Sequence, residues 1–191
     1  MRRSSSLPLL LAAALVAGCA SHDHPTTYLT LEPVAPAESP APASGTAALV
    51  APVEIPPSLD RLLLTTATGA ATLRVSGDAR WSAPLADLIR QALARDLAQR
   101  LPGGRVLMPG DPVPPEGVRA VRVNIQEFRP DASGQVSLQA HWEVEAPHGG
   151  AVQRQGDFRI ELPGAPQPGA EAATMSAAVG RLADAIAPAL K

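Results

Sequence analysis

From Val121 to Leu162 apolar residues return at every second position in three successive runs, and no other feature restricts the fold of this 191-residue chain so tightly. Val121, Val123 and Ile125 share one face of the first run. Val136, Leu138, Ala140, Trp142 and Val144 share one face of the second, and Phe158, Ile160 and Leu162 one face of the third. A period of two puts alternate side chains on opposite sides of a strand, so each run has an apolar side and a polar side. The connections Asp131-Ala132-Ser133-Gly134 and Pro147-His148-Gly149-Gly150 are short and contain the glycine that tight reversals favour. An antiparallel meander with one wet face follows, and its dry face needs a cover.

Two helices supply that cover. Leu85, Leu88, Ile89, Ala92, Leu93, Leu97 and Leu101 are spaced by three, one or four and fall on one helical face. Ser82 is a candidate cap, Asp87 suits the positive first turn, and Pro102-Gly103-Gly104 ends the helix. Arg90, Arg95, Asp96, Gln99 and Arg100 are expected on the opposite, solvent-facing side. A second helix over residues 170–187 places Met175, Val179, Leu182 and Ile186 on one side and stops near Pro188. Short strands are expected near residues 27–31, over 47–55 up to Pro56-Pro57, and at 105–108. A hairpin is expected from 62–68 and 71–76, with Gly77-Asp78 as its break. The order is four strands, a helix, four strands and a helix. The expected class is α+β: a mainly antiparallel sheet with two amphipathic helices packed on one face.

Composition narrows the function. Hydrophobic residues make up 46% of the chain and mean hydropathy is +0.05, enough for one domain of ordinary size. The 21 prolines and 15 glycines mark the remainder as linker. A net charge of -2 with few aromatic residues argues against a nucleic-acid partner. The single cysteine, Cys19, rules out an intramolecular disulfide and a multi-cysteine zinc site.

Cys19 closes an N-terminal leader. Arg2 and Arg3 precede a polar patch and an apolar stretch from Leu7 to Ala17, the layout of an export signal. That stretch is far shorter than the roughly 20 residues a membrane-crossing helix needs. It ends in Val16-Ala17-Gly18-Cys19, which resembles the bacterial lipobox and implies that Cys19 is lipidated and becomes the mature N-terminus. Three acyl chains would make such an anchor effectively permanent. Ala20, rather than the Asp that retains many enterobacterial lipoproteins at the inner membrane, favours the outer membrane; the inner membrane is the alternative. The organisation expected is a signal peptide at 1–18, a lipidated Pro-rich tether at 19–46 with a short strand near 27–31, and a single α+β domain at 47–191.

Groups suited to catalysis are few. The chain has no Gly-x-Ser-x-Gly elbow, no phosphate-binding glycine loop and no His-Glu-x-x-His. His22-Asp23-His24 lies beside the anchor in a Pro-flanked stretch with no rigid shell to organise a metal. His141, Glu143 and Glu145 share the polar side of one strand and read as a solvated face. His148 falls in a turn, and Trp81 is expected to wedge helix against sheet. No catalytic, cofactor-binding or metal-ligating residue is assigned, no cofactor is expected, and an enzyme is not expected.

The combination of motifs is more specific. A lipobox cysteine, Tyr28 to Leu31, Val53-Glu54-Ile55-Pro56-Pro57-Ser58-Leu59-Asp60-Arg61 and the helix opening Arg80-Trp81-Ser82-Ala83-Pro84-Leu85 together resemble the ABC-type transport auxiliary lipoproteins, the PqiC-like family of membrane integrity-associated transporter subunits. One tyrosine stands where many relatives have two, Thr65-Thr66 replaces a more polar stretch, and the Pro/Ala linker is longer. The resemblance implies a non-enzymatic lipoprotein on the periplasmic face of the outer membrane, working with an MCE-domain protein in intermembrane lipid transport. Homo-oligomers are compatible with it, and it carries over no catalytic residues. The alternative is an envelope lipoprotein that binds lipid or another ligand on its own, in an apolar cavity between helices and sheet.

Overall fold

The computed structural model describes residues 25–36 and 47–191. The leader, Cys19 and His22-Asp23-His24 lie outside the described residues. The strands are β1 (Thr27–Leu29), β2 (Ala48–Val50), β3 (Leu63–Gly69), β4 (Thr72–Trp81), β5 (Val106–Leu107), β6 (Arg119–Pro130), β7 (Val136–Glu145) and β8 (Val152–Leu162). The helices are α1 (Leu85–Arg100) and α2 (Pro168–Ile186), and a 3-10 turn over Ala187–Leu190 follows α2.

The class is α+β, but the sheets are mixed rather than mainly antiparallel, and two are described rather than one. A five-stranded sheet runs β5-β2-β6-β7-β8, and a three-stranded sheet runs β1-β4-β3. The meander β6-β7-β8 is antiparallel, as is the β3-β4 hairpin. By contrast β2 lies parallel to both β5 and β6, and β1 lies parallel to β4. Alternation reports which face of a strand is buried and says nothing about its neighbour. The segment between β2 and β5 includes α1, a crossover that returns the chain in its original direction.

The helices pack on each other and on the sheet, with α2 over β6, β7 and β8 and α1 over β2 and β5. Val121, Val123 and Ile125 of β6, Val136, Leu138, Ala140 and Val144 of β7, and Met175, Val179, Leu182 and Ile186 of α2 are all buried in one core. Each large apolar side chain buried this way contributes about 1.5–3 kcal/mol relative to exposure. Trp81 is also buried there, at the end of β4. The cavity that Trp81, Leu85, Phe128 and Met175 help to line is about 10 Å³, close to the space of one water and far too small for a lipid chain.

Several local expectations are corrected. Ser82 does not cap α1: Pro84 occupies that position, no side chain caps the helix, and the Pro84 carbonyl accepts the Asp87 and Leu88 amides. Proline keeps Ala83 out of helical geometry, while the Ser82 amide is engaged with the Leu29 carbonyl. Gly77-Asp78 does not end its strand either. β4 continues to Trp81 through a shift in register opposite Leu63 and Thr65, where Ser76 Oγ bonds Asp78 and receives the Ala79 amide. The strand expected over 47–55 is confined to Ala48–Val50, with an isolated bridge from Glu54 to Asn124 beyond it.

Candidate functional site

The N-terminal part of the described residues is packed against the domain. Leu29 and Leu31 are buried in the core, and residues 30–34 run as a strap across the two helices. The Leu29 carbonyl accepts the Ser82 amide at 2.8 Å, and the Glu32 amide donates to Ser176 Oγ of α2 at 3.1 Å. The Val34 amide donates to Asp96 Oδ1 at 2.7 Å, and the Val34 carbonyl accepts Arg100 Nη1 at 3.0 Å.

Arg100 is the centre of this lock. Its Nε donates to Asp184 Oδ1 at 2.7 Å, its Nη2 to the Gly180 carbonyl at 2.9 Å, and its Nη1 also to the Asp96 carbonyl at 3.0 Å. One guanidinium therefore ties together the strap, the end of α1 and the middle of α2, using the planar donor fork that lysine lacks. Gly180 makes the approach possible, since a Cβ there would sit 3.0 Å from Val34 Cβ.

Asp96 and Arg100 were expected on the wet side of α1, yet Asp96 is fully buried and Arg100 is 3% exposed. Burial lifts the Asp96 carboxyl to about 6, against the opposing pull of the Val34 amide and Arg100, and Asp184 adds to the rise. Its Oδ2 has no hydrogen-bond partner among the described residues, which is where a proton would sit. The i,i+4 spacing of Asp96 and Arg100 was visible in the sequence. What covers them is a strap more than 60 residues away, and pattern along a helix does not report that.

Beside the strap lies an open groove of about 350 Å³, with Tyr28, Leu29 and Val34 on one side and Gly169, Ala172 and Ser176 on the other. Tyr28 is 70% exposed.

The outer face of the five-stranded sheet carries His141, Glu143 and Glu145 as a set of cross-strand pairs. His141 Nδ1 lies 2.8 Å from Asp157 Oδ1 and its Nε2 lies 3.4 Å from Glu143 Oε1, so the Asp157 hydrogen bond raises the imidazole above its ordinary value, with Glu143 assisting. Arg122 pairs with Glu145, and Asn124 donates to Glu54 at 2.9 Å. Glu54, Arg122, Asn124, His141 and Glu143 edge a cleft of about 250 Å³, and the set pairs across the strands. His148 is exposed in the β7-β8 turn with φ of 62°. Among the described residues no group of three or more His, Cys, Asp or Glu side chains is placed to hold a metal ion, and no helix is long and apolar enough to cross a membrane.

Comparison with known proteins places this architecture. A search of curated proteins finds no match to the sequence. Among solved structures, an uncharacterized protein superposes with a TM-score of 0.71 at 17% identity, covering 88% of this chain and all of its own. A Xanthomonas campestris protein of the DUF330 family superposes with a TM-score of 0.70 at 14% identity, covering 86% of this chain and 95% of its own. Both share the fold. The family model described as "ABC-type transport auxiliary lipoprotein component" matches residues 29–187, which takes in the last residue of β1, the strap, strands β2 to β8 and both helices. The chain belongs to the ABC-type transport auxiliary lipoprotein family, and is thus an envelope lipoprotein associated with a transport system.

Proposed function

We propose that this protein is a non-enzymatic adaptor in intermembrane lipid transport, anchored through a lipidated Cys19 to the periplasmic face of the outer membrane and docking an MCE-domain protein. Residues 1–18 are the signal peptide in this reading, and the Pro-rich stretch after Cys19 is the tether. The observation that carries it is the strap: residues 30–34, inside the stretch expected as tether, are locked onto both helices by Arg100 rather than left as loose linker. Such a lock makes the strap part of the packed domain. At no more than about 3.6 Å per residue, Tyr28 lies within roughly 30 Å of Cys19, close enough for an exposed aromatic ring to meet the membrane interface. The pairing of charges across the outer strand face supports a binding surface more than a reactive centre.

The test is crosslinking in living cells of a tagged full-length chain, beside a Cys19→Ala control, with the captured partners identified by mass spectrometry. An MCE-domain partner that depends on Cys19 is the expected result. Repeated capture without one overturns the adaptor reading. The space of about 10 Å³ beneath Trp81 gives no support to lipid binding at that point of the core.

A further inference from the structure

β8 is the last strand of the five-stranded sheet, and among the described residues no strand pairs with its outer edge. Residues 154–162 run against β7 in one unbroken register, from Arg154 opposite Val144 to Leu162 opposite Val136. Bulges and prolines commonly keep an exposed edge from pairing, and this stretch has neither. A straight edge of that length is a template for another strand. Its inner face is also incompletely covered. Phe158, Ile160 and Leu162 are only half-buried against the core. Trp142 of β7 lies over Gly156, where a Cβ would sit 2.8 Å from the ring.

Charges on the outer face of β8 select the partner. The Asp157 side chain is 90% exposed beside His141, and Arg159 donates to Gln139 and has no ion pair among the described residues. Residues directly opposed in antiparallel strands share a face, so a twofold axis relating two copies of β8 must pass through a residue. The axis that keeps all of 154–162 in the ladder passes through Phe158. It sets Asp157 against Arg159 of the second copy, and Arg159 against Asp157 of that copy. On the inner face Phe158 meets its own equivalent, and Ile160 of the second copy meets Gly156 and the Trp142 ring above it. Axes through Asp157 or Arg159 oppose like charges, which is unfavourable, and an axis through Gly156 forms no ion pair. We propose that two copies of this chain pair antiparallel through β8 about a twofold axis at Phe158, joining their five-stranded sheets into one of ten strands. The seam is about 30 Å long at ~3.4 Å per residue, and the interface closes on itself. The pairing needs neither the anchor nor a transport partner, so it stands apart from the adaptor reading.

The experiment is sedimentation of the full mature chain, carrying Cys19→Ala in place of the lipidated residue, from micromolar to millimolar concentration at low salt. A monomer–dimer equilibrium is expected. Arg159→Asp sets Asp against Asp157 at both symmetry-related positions, and Asp157→Arg sets Arg against Arg159. Each is expected to weaken the dimer by about tenfold or more, since two attractive pairs become repulsive. The double variant Asp157→Arg with Arg159→Asp restores the pairs with their signs exchanged and is expected to recover the affinity of the parent. Both residues are exposed, so the single variants keep the fold, which circular dichroism checks. A chain that stays monomeric throughout overturns the proposal. So does self-association that the single variants leave unchanged, or a double variant as weak as the singles.

Discussion

Arg100 and Asp96 show how one pair of side chains can decide where a distant segment lies. Removing the guanidinium leaves Asp96 and Asp184 facing each other near the helix junction with the Val34 carbonyl unpaired. Breaking a buried pair on one side costs about 3–5 kcal/mol, so Arg100→Ala is expected to lower the unfolding free energy by that order, read as a lower urea midpoint, without changing the helix content of the fully folded protein. Asp96 gives an unusual pH dependence. Its carboxyl holds a proton to about 6 in the fold, against an ordinary 3.8, so the folded state binds more protons between those values. Its contribution to stability is therefore greatest below about pH 4 and is lost as pH rises through about 6, the reverse of an ion-paired surface carboxylate. Comparing denaturation of Asp96→Asn and the parent at pH 4.5 and pH 7 should show the variant gaining on the parent at the higher pH, by at most on the order of 3 kcal/mol. His141 behaves in the ordinary sense for a histidine with a partner. Its raised value stabilises the fold below the unfolded pKa and the gain disappears as pH rises past the raised one. NMR titration should find it above 6.5, and Asp157→Asn should bring it down.

At the level of elements, glycines set two of the closest approaches. Gly134 has φ of 87°, and a Cβ there would strike the backbone of Ala165 and Pro166, so the β6-β7 turn rests directly on the loop leading into α2. Gly134→Ala is expected to destabilise by on the order of 1–3 kcal/mol from backbone strain, with more from the collision, read as a lower melting temperature. This region also shows what the sequence made legible. Both helices, the three-run meander and its turns follow from short-range periodicity and turn chemistry, and Met175, Val179, Leu182 and Ile186 face the core as their spacing indicates. The parallel neighbours of β2 and β1 were not legible, because pairing across a crossover depends on contacts that local alternation does not encode. The misplacement of Asp96 and Arg100 has the same cause. The one available hint was Gly180, since a glycine inside a helix costs about 1 kcal/mol and marks a close approach.

For the whole molecule, the strap makes residues 27–34 part of the packed body that continues from residue 47. A chain beginning at residue 25 should unfold as the full chain does. One beginning at residue 37 loses the burial of Leu29 and Leu31, about 1.5–3 kcal/mol each, together with the bonds to Val34, and should melt far lower or fail to fold. Circular dichroism of the two truncations decides this. The attachments of the strap also come in a fixed order. A pull arriving from the N-terminal side meets the short β1-β4 ladder first, then the single bond from Glu32 to Ser176, and only then the buried guanidinium that holds Val34. The three act in series, with Leu29 and Leu31 buried along the way, so tension arriving from the N-terminal side must break the ladder and expose both leucines before the helix pair feels the load. In mechanical terms the strap is a fuse ahead of the folded domain.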